Sequence, residues 1–130
     1  MDYKKSLEEL EKVLTDLREE NKTVPIIVEG DKDLEALRKL GMTGEIIRLN
    51  TGMPIPNFCD IIAQKYKSVI LLTDWDRKGG RLCFTIRKNL ESRMKCNTKY
   101  REAFAKRSTT RTVEGLPSWL TTLKEKAKPD

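Results

Sequence analysis

The sequence predicts an α/β domain: a mainly parallel, four-stranded sheet flanked by helices, preceded by an accessory helix. Three observations carry this reading. Short β-branched runs alternate with longer stretches of helical periodicity. The runs are apolar throughout, as strands buried on both faces are. The stretches between them are long enough to be the helical crossovers that parallel strands require.

Residues 2–21 carry Leu7, Leu10, Leu14 and Leu17 at helical spacing, with Glu and Lys on the other face. The run is too short for a coiled coil, so it is expected to pack on the domain, with a dimer contact as the lesser reading. Val24-Pro25-Ile26-Ile27-Val28 reads as a buried strand with proline tolerated near its start. Glu29-Gly30 ends it. Asp31 to Leu40 reads as a helix that Asp31 can cap, with Leu34, Leu37 and Leu40 on one face and Gly41 as its stop. Glu45 to Leu49 is a second strand, and Asn50-Thr51-Gly52-Met53-Pro54 is a loop. Pro56 opens a helix to about Tyr66. Ser68 to Thr73 is a third strand, ending in Asp74-Trp75-Asp76-Arg77-Lys78-Gly79-Gly80. A long helix is expected to about Lys95, with Leu82, Ile86 and Leu90 inward, and residues 98–107 add further helical turns. Thr109 to Val113 is a weak fourth strand, and Pro117 opens a short helix holding Trp119, Leu120 and Leu123. Lys124 to Asp130 is expected to fray. The division is residues 1–21, the domain at 22–117 and a tail at 118–130.

The chain has 26 Lys and Arg against 20 Asp and Glu, and the excess is local. Residues 77–111 hold twelve basic residues and two acidic ones, directly after Asp74-Trp75-Asp76. Such a surface suits a polyanion, and equally a solvated helix. The chain has no histidine and three cysteines without a CxxC pair, which excludes a four-ligand zinc site of the usual kind. Cys59 and Cys83 sit in apolar patterns as small core residues. The cysteine usage and the charged N-terminus fit a cytoplasmic protein, and no apolar run is long enough to span a membrane.

Ligands of open α/β sheets bind beyond the carboxyl ends of the strands. Two strands end in acids there: Glu29 after the first, Asp74 and Asp76 after the third. Adjacent strands would bring all three together, and their mutual repulsion calls for a divalent cation, Mg²⁺ or Mn²⁺, in an all-oxygen site. Trp75 between the two aspartates would turn toward the core, and Gly79-Gly80 would let backbone approach a phosphate. The competing reading is that such acids merely cap the next helix. Glu-Gly after one strand together with Asp-x-Asp-x-x-Gly after another weighs against it.

Val28-Glu29-Gly30 and Thr73-Asp74-Trp75-Asp76-Arg77-Lys78-Gly79 resemble the two signature motifs of the Toprim (topoisomerase–primase) family. The family includes topoisomerases, bacterial-type primases, overcoming-lysogenization-defect nucleases and the bacterial 5S ribosomal RNA maturation nuclease. The stretch Val-Glu-Gly-Asp-Lys-Asp is most similar to that last nuclease, and the chain as a whole resembles small stand-alone archaeal Toprim proteins. The resemblance implies a three-layer, Rossmann-like fold. It implies Glu29 as general acid or base, Asp74 and Asp76 as the Mg²⁺-coordinating pair, and Gly30 and Gly79 as loop-shaping glycines. No catalytic tyrosine carries over.

Lys32, Arg77, Lys78 and Arg81 are candidates for phosphate contact, and each is equally a solvated cation. Asp31 and Asp33 are more readily capping residues, Glu114 is a remote candidate for the same rim, and Trp119 reads as core. Arg87, Lys88, Arg93, Lys95, Lys99, Arg101, Lys106, Arg107 and Arg111 could track a nucleic-acid backbone, though only a subset can share a face. The leading expectation is a metal-dependent nuclease acting on RNA or DNA. The alternative is a non-catalytic nucleic-acid-binding adaptor that needs a protein partner, docked through the N-terminal helix. Primase-like nucleotidyl transfer is third. A phosphoacceptor receiver ranks last, since Glu-Gly stands where paired acids would be and a fifth strand is missing.

Overall fold

The computed structural model describes residues 1–49 and 51–129. Asn50 of the expected loop and Asp130 of the expected fraying end lie outside the described residues. The chain runs α1 (Tyr3–Asn21), β1 (Ile26–Val28), α2 (Asp31–Lys39), β2 (Ile46–Arg48), α3 (Ile55–Lys65) and β3 (Ser68–Leu71). It continues α4 (Arg77–Leu90), β4 (Lys95–Asn97), α5 (Lys99–Arg107) and α6 (Leu116–Lys126). All four strands are parallel, in the order β2-β1-β3-β4. The first and third strands are therefore neighbours, with Ile26 opposite Ile70 and Ile27 opposite Leu71.

The alternation of side chains along a strand divides the interior into two layers. Ile26, Val28, Ile70 and Leu72 pack with Leu10, Leu14 and Leu17 of α1, Leu37 of α2, Phe104 of α5 and Leu116 and Leu123 of α6. Ile27, Val69 and Leu71 pack on the other face with Phe58, Cys59 and Ile62 of α3 and Cys83, Ile86 and Leu90 of α4. Asp2 caps α1, its carboxylate accepting from the Lys5 N–H at 3.1 Å. The apolar stripe of α1 is spent against α5 and α6, each fully buried leucine contributing roughly 1.5–3 kcal/mol. Among the described residues no helix is long and apolar enough to cross a membrane.

The fourth strand is not where the sequence pattern puts it. Residues 109–113 form turns rather than a strand, and their backbone groups serve the β3–α4 loop instead of a ladder. The Arg111 carbonyl accepts from the Trp75 N–H at 3.0 Å, and the Val113 N–H donates to the Asp74 carboxylate at 2.8 Å. The strand is Lys95-Cys96-Asn97, because α4 stops at Leu90, a turn before its expected end. A Lys-Cys-Asn triplet carries no β-branched run, so its pairing is dictated by β3 alongside. The C-terminal helix also persists through Lys126, within the stretch expected to fray.

Candidate metal and phosphate site

The carboxyl ends of the two central strands converge. Glu29 follows the last residue of β1, and Leu72-Thr73-Asp74 continues from β3. Glu29 Oε2 accepts from the Asp74 N–H at 2.8 Å, so the acid of one strand clasps the backbone that carries the acid of the next. Asp74 Oδ1 accepts from the Val113 N–H at 2.8 Å. Asp76 Oδ1 accepts from the Gly79 N–H at 2.7 Å and is the N-cap of α4. Each carboxylate is thus aimed by one backbone N–H. None of the three is ion-paired with a lysine or arginine among the described residues.

Uncompensated charge shows in the electrostatics. Burial pushes Asp74 up to about 6, and repulsion from Glu29, Asp76 and Glu114 adds to it, with the Val113 N–H pulling the other way. Asp33 is raised too, by burial and then by Asp74 and Glu114, against N–H groups of Gly30 and Glu114. Five carboxylates therefore feel one another at this rim. Among the described residues, no three Asp, Glu or Cys side chains close into a set that could encircle a metal on their own. Glu29, Asp74 and Asp76 offer oxygen ligands alone, the donor type of Mg²⁺, which takes one or two carboxylates and keeps several waters.

Capping accounts for part of the motif. Asp76 does cap α4, but Asp74 does not. Asp31 is the first residue of α2 rather than its cap, and it pairs with Arg48. Asp33 takes the Gly30 N–H at 3.1 Å. Gly30 itself is extended (φ −156°, ψ −172°), a conformation open to any residue. Gly79 shapes its loop by proximity: a Cβ there would lie 1.9 Å from the Asp74 carbonyl oxygen. Its N–H is committed to Asp76, so the expected approach of this backbone to a phosphate is not through that group. Trp75 does turn to the core, stacking on Phe104 at 5.6 Å and donating its indole N–H to the Thr110 carbonyl at 2.6 Å.

Lys32, Arg77, Lys78 and Arg81 are all exposed. Arg77 and Lys78 open α4 beside Asp76, and Arg81 follows one turn later. Lys32 shares a cavity of about 260 Å³ with Glu114, Glu35 and Lys39. The larger cavity, about 530 Å³, lies along β4 and the start of β3, away from the rim. Several basic residues of the 77–111 stretch are engaged within the protein. Arg93 pairs with Asp60, Arg87 with Glu91, Arg107 with Glu9 and Lys99 with Glu20. Arg101 donates to the Thr73 carbonyl at 3.1 Å and to the Asp74 carbonyl at 2.8 Å, tying down the end of β3. Sequence reasoning held Glu114 remote and saw Arg101 only as one cation among many. Both reach the rim through tertiary contacts spanning tens of residues, for which the sequence holds no local signal.

A family model described as the Toprim domain matches residues 24–107, leaving α1 and α6 outside it. A UPF0292 protein of Thermoplasma volcanium is 54% identical over 63 residues, covering 48% of this chain and 53% of the relative. A UPF0292 protein of Methanocaldococcus jannaschii is 42% identical over 96 residues, covering 72% and 74%. A solved structure of a protein from Aquifex aeolicus superposes with a TM-score of 0.71 at 26% identity, covering 81% of this chain and 95% of that one. The chain thus spans about half the length of the first of these relatives and about three quarters of the second.

Proposed function

Because the chain belongs to the Toprim domain family, we propose that it is a Mg²⁺-dependent nuclease acting on phosphodiesters of RNA or DNA. The observation that carries this is the clasp of Glu29 on the Asp74 backbone, which joins the acids of β1 and β3, none of them ion-paired among the described residues. Asp74 and Asp76 would hold the ion, with Glu29 at its margin. When bound, a divalent cation supplies charge neutralisation and Lewis acidity at a phosphate oxygen.

The rest falls to the chain's own groups. Water is the nucleophile: its oxygen bonds to phosphorus as the bond to the leaving sugar oxygen breaks, and that oxygen takes a proton from solvent to leave as a hydroxyl. Glu29 takes the proton of that water, since no histidine is present to do so. Arg77, Lys78 and Arg81, at the start of α4, bind the flanking phosphates, and Lys32 does so from α2.

The test is cleavage of end-labelled single- and double-stranded RNA and DNA in Mg²⁺, Mn²⁺ or EDTA. Metal-dependent cutting should fall by at least about a hundredfold in Asp74→Asn and Glu29→Gln, the usual scale for losing such a group. Undiminished cutting in both would refute the mechanism. That no three Asp, Glu or Cys side chains among the described residues could hold a metal together favours a second reading, an adaptor that binds nucleic acid and leaves chemistry to a partner. Since the apolar stripe of α1 is buried, that partner would have to meet the helix's charged outer face. Salt-dependent binding without cutting under any metal would select this reading.

A further inference from the structure

One face of α4 is unlike the other helix surfaces. Gly79, Cys83, Ile86 and Leu90 are buried against the sheet. Arg77, Arg81, Phe84 and Lys88 recur at helical spacing on the outer side, and all are exposed. None of the three cations in this stripe is ion-paired among the described residues. Phe84 is 63% exposed, although aromatic rings normally bury. Lys88 Nζ stands 5.4 Å from its ring centroid, and a recess of about 200 Å³ lies beside the ring, lined also by Arg87 and Glu91. Glu91 is neutralised there by Arg87 at 2.7 Å.

We propose that this stripe is a track for a single nucleic-acid strand leaving the rim, with one base stacked on Phe84; the inference rests on the reading of the rim given above. The stripe starts at Arg77, the residue after Asp76, and reaches Phe84 about 10 Å further along the helix axis. Unpaired cations on either side of an aromatic ring complement a phosphate backbone whose bases are free. Such platforms accept any base through its π-face, which a duplex keeps internal.

The experiment is fluorescence anisotropy of labelled oligo-dT, oligo-U and a duplex of equal length, in EDTA so that nothing is cut. Phe84→Ala should weaken single-strand binding about tenfold and duplex binding by less than about twofold, the scale of one lost base–aromatic stack. Phe84→Trp should bind single strands as the parent does. Arg81→Ala should weaken all three ligands and lower the salt slope by about one. Unchanged single-strand affinity in Phe84→Ala, or equal loss for single strand and duplex, overturns the proposal. So does a Phe84→Ala variant whose only change is loss of self-association in sedimentation. Mg²⁺-induced thermal stabilisation of the parent and of Asp74→Asn is read in parallel. If it vanishes in Asp74→Asn while Phe84→Ala binds normally, only the track fails; if Asp74→Asn retains it, the metal reading fails instead.

Discussion

Asp74 bears the conflict at the centre of the rim. It must be ionised to hold a cation, yet burial and three neighbouring carboxylates disfavour its charge. Asparagine keeps an Oδ1 for the Val113 N–H and removes the repulsion. Metal-free Asp74→Asn is therefore expected to melt a few degrees above the parent at pH 7, and, on the proposed metal role, to lack the further rise expected of the parent in Mg²⁺. Differential scanning fluorimetry with and without the ion reads both effects. A lower melting temperature than the metal-free parent would mean that the charge itself is structural. At this scale the sequence was informative where acids follow a strand end, since Glu29 and Asp74 do meet. Glu29, Asp74 and Asp76 declare themselves because an acid after an apolar run needs a reason to be there. Glu114 and Arg101 do not, because each lies in an ordinary polar stretch and gains its meaning only from its distance to Asp74 in space.

Elements with a strong apolar period were legible in the same way. The leucines of α1 and the β-branched runs of β1 and β3 are where periodicity places them, because burial demands that spacing. β4 was not legible, since a three-residue edge strand of Lys, Cys and Asn is held by its neighbour rather than by its own side chains. The Thr-rich 109–113 segment misled for the converse reason: its residues favour strands, but its hydrogen bonds go to Trp75 and Asp74. At the junction of α1 with the sheet, one buried polar side chain ties the helix end to two loops. Asn21 is 1% exposed and its amide donates to the carbonyls of Val24 at 3.1 Å and Glu45 at 3.0 Å. Its Oδ1 accepts from the Gly44 N–H at 2.9 Å, and a Cβ on Gly44 would lie 1.7 Å from the Asn21 carbonyl oxygen. Asn21→Ala would leave the Val24 carbonyl and the Gly44 N–H unsatisfied and strip the Glu45 carbonyl of one of its two donors, the other being the Ile26 N–H. It should cost about 3 kcal/mol, or roughly 10 °C in Tm, by urea or thermal unfolding. A loss under about 0.5 kcal/mol would show that water replaces the side chain at no cost.

For the molecule as a whole, the three layers are latched by tyrosines on opposite faces of the sheet, and this makes stability fall in alkali. Tyr66, just after α3, has its hydroxyl pushed up to about 12, by burial first and then by the neighbouring Glu45 carboxylate. Tyr100 of α5 is raised as well, by burial and by Glu20 of α1, whose carboxylate accepts from its hydroxyl at 2.8 Å. In the unfolded chain a tyrosine ionises near 10. Above that pH the unfolded chain releases protons that the folded protein still holds. The unfolded state then binds fewer protons, and unfolding free energy declines as pH rises. The contribution of both tyrosines is complete below about pH 10 and drains away as pH climbs through the raised native value, about 12 for Tyr66. Urea unfolding at pH 8, 10 and 11 should therefore show a midpoint that already falls over the first interval, as the thiols of Cys59, Cys83 and Cys96, raised by burial, keep protons that the unfolded chain releases, and that falls further over the last as the tyrosines join. Tyr66→Phe with Tyr100→Phe starts from a lower midpoint, having lost the hydroxyl contacts, yet should decline less between the last two values. An equal decline in parent and double variant would place the alkaline weakness in the buried thiols of Cys59, Cys83 and Cys96 instead, and would separate the latches from it.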